Sequence, residues 1–206
     1  SVPPEVEAPL VAVGRFDSAL RVMGDVFMGY HVMSGAPGDS NGSRRTREPL
    51  KVPDDLPRLL RFLETCYGPY PFEWLDVLVL PSGSPMRGPV IAGPGLLVVP
   101  VLEEGGDGDA DAILVRRLVP HLSDCWWNHH AEPSKFVTEG LSALAETSWL
   151  AASGYGDAAE LLRTSRRAQF MRYLSESGGA SLIDCIGRDA SGDSRLCAGK
   201  GSAVLE

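Results

Sequence analysis

Residues 111–150 gather His121, Asp124, His129, His130 and Glu139, side chains whose nitrogens and oxygens can coordinate zinc or iron and can move protons. His121 and Asp124 are three residues apart, a spacing that puts both on one face of a helix, one turn from each other. Ser123 and Ser142 lie near these histidines in the sequence, but no G-x-S-x-G elbow presents either of them as a nucleophile. Metal coordination is the chemistry this stretch is best equipped to do.

Two amphipathic helices joined by a short polar turn must position these groups. On the first, Ile113, Leu114, Leu118, Leu122 and the Cys125–Trp126 pair recur at helical spacing. On the second, Leu141, Leu144, Ala145 and Trp149 do the same, with Glu139 in the opening turns. Pro120 removes a backbone donor and disfavours a straight helix just before His121. His129 and His130 fall in the connecting turn, where exposed imidazoles need no special role.

The run PHLSDCWWN at 120–128 resembles the H-E-x-x-H-Q-W-W-G segment of the gluzincin aminopeptidases, the membrane-alanyl-aminopeptidase family. Such a segment places two zinc-binding imidazoles one helical turn apart, and a Glu from the next helix completes the site. VTEGLSALAE at 137–146 resembles the family's N-E-G-F-A…E segment, which supplies that Glu. In this register Pro120 stands at the first zinc ligand, His121 at the general base and Asp124 at the second ligand; Glu139 alone keeps its residue type. The interval from Asp124 to Glu139 is also shorter than the family's.

The likeness extends along the chain. PLVAVGRFD at 9–17 resembles the family's strand leading out of an N-terminal β domain. Y-G-P-Y-P at 67–71, followed by LDVLVLP, resembles the segment preceding its substrate strand. GPVIAGPGLLVVP at 88–100 falls at its G-A-M-E-N-P-G-L strand, where Pro94, Gly95 and Leu96 match. Ala92 replaces the Glu that would hold a substrate's amino group, and Gly93 replaces the Asn. A buried ammonium without a counter-charge is costly, so this cleft is not equipped for a free amino terminus. The final AGKGSAVLE resembles a helix start on which a Tyr stabilises the oxyanion; Ala198 occupies that position.

Between these motifs the pattern is that of an ordinary domain. Residues 9–33 read as strands broken by Gly14, Gly24 and Gly29, and 34–49 as a polar loop in which Arg44, Arg45 and Arg47 are solvated. A helix is expected over 52–67, with Pro53 in its first turn and Leu56, Leu59, Leu60 and Leu63 as its apolar stripe. Residues 74–80 read as a buried strand and 103–111 as an acidic solvated loop. A third helix is expected over 156–177, burying Leu161, Leu162, Ala168, Met171 and Leu174 and turning Arg163, Arg166, Arg167 and Arg172 to solvent. The region 178–198 is loop-rich.

Composition bounds the functions. The 206 residues are 44% hydrophobic, enough for a globular core, and the net charge of −8 argues against nucleic acid or an anionic membrane as partner. No apolar run approaches the roughly 20 residues of a membrane span, and SVPPEVEAPLV lacks a signal pattern. Location is otherwise open. Cys66, Cys125, Cys185 and Cys197 lack C-x-x-C spacing; Cys185 and Cys197 bracket a polar loop and could pair in an oxidising compartment.

The expected fold is therefore an α/β (α+β) thermolysin-like metallopeptidase catalytic domain, a mixed β-sheet followed by a helical lobe. Residues 1–33 would lead in from a missing N-terminal β domain, and 34–206 would form the peptidase domain, truncated at its C-terminus. The expected function is that of a catalytically inactive, aminopeptidase-like module, structural or peptide- or protein-binding. Pro120, His121, Asp124, Glu139 and Ala198 would be its degenerate catalytic positions, and Ala92–Gly95 would line its old cleft. Zinc, the cofactor of the related active family, is expected to be lost, with His121, Asp124 and Glu139 as remnant ligands. The alternative is a metallohydrolase that has rebuilt its metal site from those three. Partners would be a peptide, another protein or further domains of the same protein, and either self-association or a partner is expected to make contact through 198–206 or the strands near 10–16.

Reinstating the motif with Pro120→His, His121→Glu and Asp124→His is expected to leave turnover of aminoacyl anilides at background. Ala92 and Ala198 would still lack substrate anchoring and oxyanion stabilisation, and a lost oxyanion donor commonly costs about 10²–10³ in rate. Robust turnover by the triple variant would mean that those two positions have been misassigned.

Overall fold

The first alternating run folds back on itself as a hairpin. β1 (Phe16–Met23) and β2 (Val26–Met33) pair antiparallel, with Met23 opposite Val26 across a Gly24–Asp25 turn. Gly24 has φ +58°, the left-handed conformation that tight hairpin turns demand of their first central residue. The computed structural model describes residues 14–33, 50–80, 90–100, 110–127 and 135–176.

Beside this hairpin the sheet changes direction. β3 (Trp74–Val79) runs parallel to β2, after a crossover containing α1 (Asp55–Tyr67). β5 (Leu96–Val99) runs parallel to β3, and β4 (Ile91–Gly93) pairs antiparallel with β5, giving the order β1-β2-β3-β5-β4. The expected Pro-Gly turn joins β4 to β5. Gly95 there has φ +67°, and a Cβ would sit 2.8 Å from the Trp74 carbonyl oxygen, so glycine alone fits without rearrangement. Through the parallel pairing of β2 with β3, the hairpin of residues 16–33 is hydrogen-bonded into this sheet.

Three helices follow: α2 (Ala110–Trp127), α3 (Lys135–Ala152) and α4 (Gly156–Glu176). Alternation on the strands sends Met28, Leu75, Val77, Leu97 and Val99 into one core with Leu56, Leu59, Leu60 and Leu63 of α1 and Leu114, Val115, Leu118 and Leu122 of α2. On the opposite face Leu78, Leu80 and Val98 are buried with Phe16, Met33 and Leu96 packed against them, while Leu20, Val22, Phe27 and Trp74 stand exposed.

The structure corrects several local expectations. Pro120 lies inside an unbroken α2. Burial of Leu118, Val119 and Leu122 around it outweighs a local cost of about 3 kcal/mol. Pro53 precedes α1, its carbonyl accepting the Leu56 N–H at 3.0 Å, because the helix opens only at Asp55. Ile113 is exposed. In α4, Leu161 and Met171 are 72% and 58% exposed and Ala168 is exposed, while Leu162 is half-buried and Ala159 buried. Among the described elements that helix packs chiefly on α3, which covers only a narrow stripe of it. Leu174, His129, His130, Cys185, Cys197, Ala198, the loops 34–49 and 101–109, and 177–206 carry expectations that lie outside the described residues or side chains.

This burial pattern separates two leucines that look equivalent in sequence. Leu60→Ala is expected to cost about 2–5 kcal/mol in denaturant unfolding, and Leu161→Ala less than about 0.5 kcal/mol. A comparable loss at Leu161 would mean that α4 is buried against something further.

Candidate functional site

The seam between α2 and α3 carries the residues singled out in the sequence. Helical periodicity puts Arg117, His121 and Asp124 on one flank of α2, and Glu139, Ser142 and Glu146 on one flank of α3. The two helices pack directly together. The structure therefore brings His121, Asp124 and Glu139 into one region.

The closest contact in the seam is one the sequence did not disclose. The Ser142 hydroxyl donates a short hydrogen bond to Asp124 Oδ1. Ser123 Oγ lies 3.1 Å from Ser142 Oγ and 2.7 Å from the Pro120 carbonyl, which accepts its proton. Both serines are buried. These hydroxyls satisfy a carboxyl group and a carbonyl held between two helices.

Burial pushes the Asp124 carboxyl up to about 6, against the opposing hydrogen bond from Ser142; the Glu139 charge adds to the rise. Burial lowers the His121 pKa, the Arg117 charge lowers it further, and Glu146 opposes them. His121 is thus biased to the neutral imidazole and Asp124 to the neutral acid. Glu146 is engaged elsewhere: Arg166 Nη2 lies 2.5 Å from its Oε2, and Arg116 Nε is 3.7 Å from its Oε1. Arg166 also donates to the Ala143 carbonyl at 2.8 Å. The sequence reading placed Arg166 in solvent. With its side chain 15% exposed, it instead ties α4 to α3.

The cleft positions lie on the β4–β5 hairpin, which packs against α2. Ala92 and Pro94 are exposed, Gly93 is half-buried and Gly95 buried. Behind them the two aromatic motifs interlock. The Trp126 indole N–H is shared between the carbonyls of Gly68 and Pro69, both at 3.1 Å, and its ring packs on Tyr67 and Tyr70. The Tyr67 hydroxyl reaches the Leu141 carbonyl at 3.4 Å, joining this cluster to α3.

A catalytic zinc needs three protein ligands. Pro120 has no donor atom, Asp124 Oδ1 is engaged by Ser142, and among the described residues no three His, Cys, Asp or Glu side chains gather closely enough to hold an ion.

Among solved structures, an M1 zinc metallopeptidase from Deinococcus radiodurans is similar over 93% of this chain and 39% of its own, with 18% identity and a TM-score of 0.54. A variant of that protein bound to a Tyr-Ser-Ala substrate aligns over the same shares at 20% identity and a TM-score of 0.53. Native yeast LTA4 hydrolase is similar over 92% of this chain and 29% of its own, with 13% identity and a TM-score of 0.53. No protein-family model and no curated protein matches the chain. The likeness is one of fold: among the described residues, a mixed five-stranded sheet with four helices, arranged as in the M1 zinc metallopeptidases. The chain spans 39% of the length of the Deinococcus protein.

The raised Asp124 pKa fixes the sign of a pH effect. Because the folded value lies above the ordinary carboxyl value, ionisation is penalised in the folded state. The contribution is intact below about pH 4 and is lost as pH rises through about 6. Asp124→Asn keeps an acceptor for Ser142 and removes the charge. It is expected to stabilise the protein at pH 8 by on the order of 2–3 kcal/mol relative to the parent, with the gap closing toward pH 4. A gap independent of pH would show that Asp124 is ionised at no such cost.

Proposed function

We propose that this domain is a peptidase scaffold relieved of peptidase chemistry, serving as a structural or peptide- and protein-binding module. The observation that carries the reading is the Ser142–Asp124 hydrogen bond in the α2–α3 seam, next to Pro120. The carboxylate at the second-ligand position is satisfied by a hydroxyl from the facing helix, and the first-ligand position offers no donor at all. The raised Asp124 pKa and the lowered His121 pKa mark a seam in which burial disfavours charge on either side chain. Zinc, on this reading, has been lost.

A binding role draws support from the sheet face turned away from α1 and α2. Val22, Phe27 and Trp74 occupy adjacent positions on three neighbouring strands, and all three are more than half exposed. Contiguous exposed apolar residues of this size mark contact surfaces. A protein partner, further domains of the same protein or a second copy would each cover them. Among the described helices none is long and apolar enough to cross a membrane.

The second reading is a metallohydrolase with a rebuilt site, and one observation favours it: Glu139 lies near enough to Asp124 to alter its ionisation. Carboxylates held that close are a common start for a cation site. The two readings separate in one assay. With zinc supplied in excess, the protein is expected to leave aminoacyl anilides and a mixed peptide library uncleaved. Cleavage that requires added metal and is abolished by a chelator would establish the second reading and end the first.

A further inference from the structure

We propose that Ser18 is an activated hydroxyl, prepared by His31 and Asp76 to react with small activated acyl or phosphonyl electrophiles. The three residues lie on adjacent strands, on the sheet face turned away from α1 and α2, remote in sequence from the seam described above. Ser18 is the cross-strand partner of His31, and Asp76 stands opposite Gly29, two residues before His31 on β2. Ser18 Oγ lies 2.8 Å from His31 Nδ1, and His31 Nε2 lies 3.1 Å from Asp76 Oδ1.

The connectivity gives each group a role. Asp76 accepts from Nε2–H, and this fixes the tautomer in which Nδ1 carries the lone pair. Nδ1 is then the acceptor for the Ser18 proton, so base and orienting carboxylate stand on opposite sides of one ring. The ring nitrogens are interchanged relative to the usual hydrolase order, which leaves the roles unchanged.

The backbone is arranged to match. A two-residue hairpin closed by Met23 and Val26 makes Ser18–His31 a non-hydrogen-bonded pair, the class in which facing side chains approach most closely. The same alternation turns the Ser18 N–H away from β2, toward the outer side of β1, the last strand of the described sheet. There it can donate to an oxyanion forming beside Ser18. Gly29 lies beneath the His31–Asp76 contact, and a Cβ at that position would collide with both side chains. Ser18 is exposed and His31 and Asp76 are partly so, which leaves the hydroxyl open to a reagent.

In the step, the Ser18 oxygen forms a bond to the acyl carbon or to phosphorus, and the bond to the leaving group breaks. The hydroxyl proton passes to His31 Nδ1 and from there to the departing group. The products are an ester on Ser18 and the protonated leaving group.

The test uses the full chain and a fluorophosphonate probe, with the adduct located by peptide mass mapping. Ser18 is expected to label at least about tenfold faster in the folded protein than in the same protein unfolded in urea. His31→Ala should lower the folded rate by about 10²-fold, the usual size of a general-base contribution. Added imidazole should restore part of it, which it would not do for a histidine of merely structural use. Asp76→Asn should slow labelling while Ser18 and His31 both remain. Labelling of Ser18 no faster than in urea would overturn the proposal, as would a folded His31→Ala variant that labels at the parent rate. Should His31→Ala fail to fold, the folded-against-unfolded comparison of the parent decides alone.

Discussion

The position of α2 rests on Trp126. Its ring is buried against Tyr67 and Tyr70, at centroid distances of 6.0 and 5.2 Å, and its N–H is divided between two backbone carbonyls just beyond α1. Those carbonyls belong to Gly68 and Pro69. Gly68, with φ +94°, ends α1 and lets the chain turn toward β3. One side chain thus joins the end of α1, the entry to β3 and the last turn of α2. It also sets the rotation of α2. With Trp126, Leu122 and Leu118 committed to the core, Asp124 is left to face α3.

That rotation turns ionisable side chains of α2 toward those of α3. Carboxylates gathered between two helices are stabilised by a cation when one is present. Here a hydroxyl donates to Asp124, and burial favours its neutral form. Glu146, which in a sparser setting would add to the repulsion, is held by Arg166 and Arg116 from the neighbouring helices.

Much of the fold was legible in the sequence, because periodicity and turn chemistry point the same way. The strand at Trp74–Val79, the Pro-Gly turn after Gly93 and the helices around Leu60, Leu118 and Ala145 were all visible as patterns. Pro120 misled, since a local penalty says nothing of the tertiary burial that overrides it. Leu161 and Met171 misled for the converse reason: an apolar stripe is buried only where a neighbour covers it. In the seam, the helical spacing of His121 and Asp124 gave one face, but the hydrogen bond from Ser142 needed the packing of α2 on α3. Arg166 was missed because its partner lies on another helix. The Ser18–His31–Asp76 chain was beyond sequence reading altogether, since strand register brings together residues with no shared local pattern.

The metal content of the protein tests the central claim most directly. Elemental analysis of the chain purified without added zinc or chelator should find transition metal well below one ion per chain. Asp124 and Ser142 should remain bonded whether or not zinc is supplied. One tightly held zinc per chain, released by a chelator together with a hydrolytic activity, would contradict the loss of the metal site.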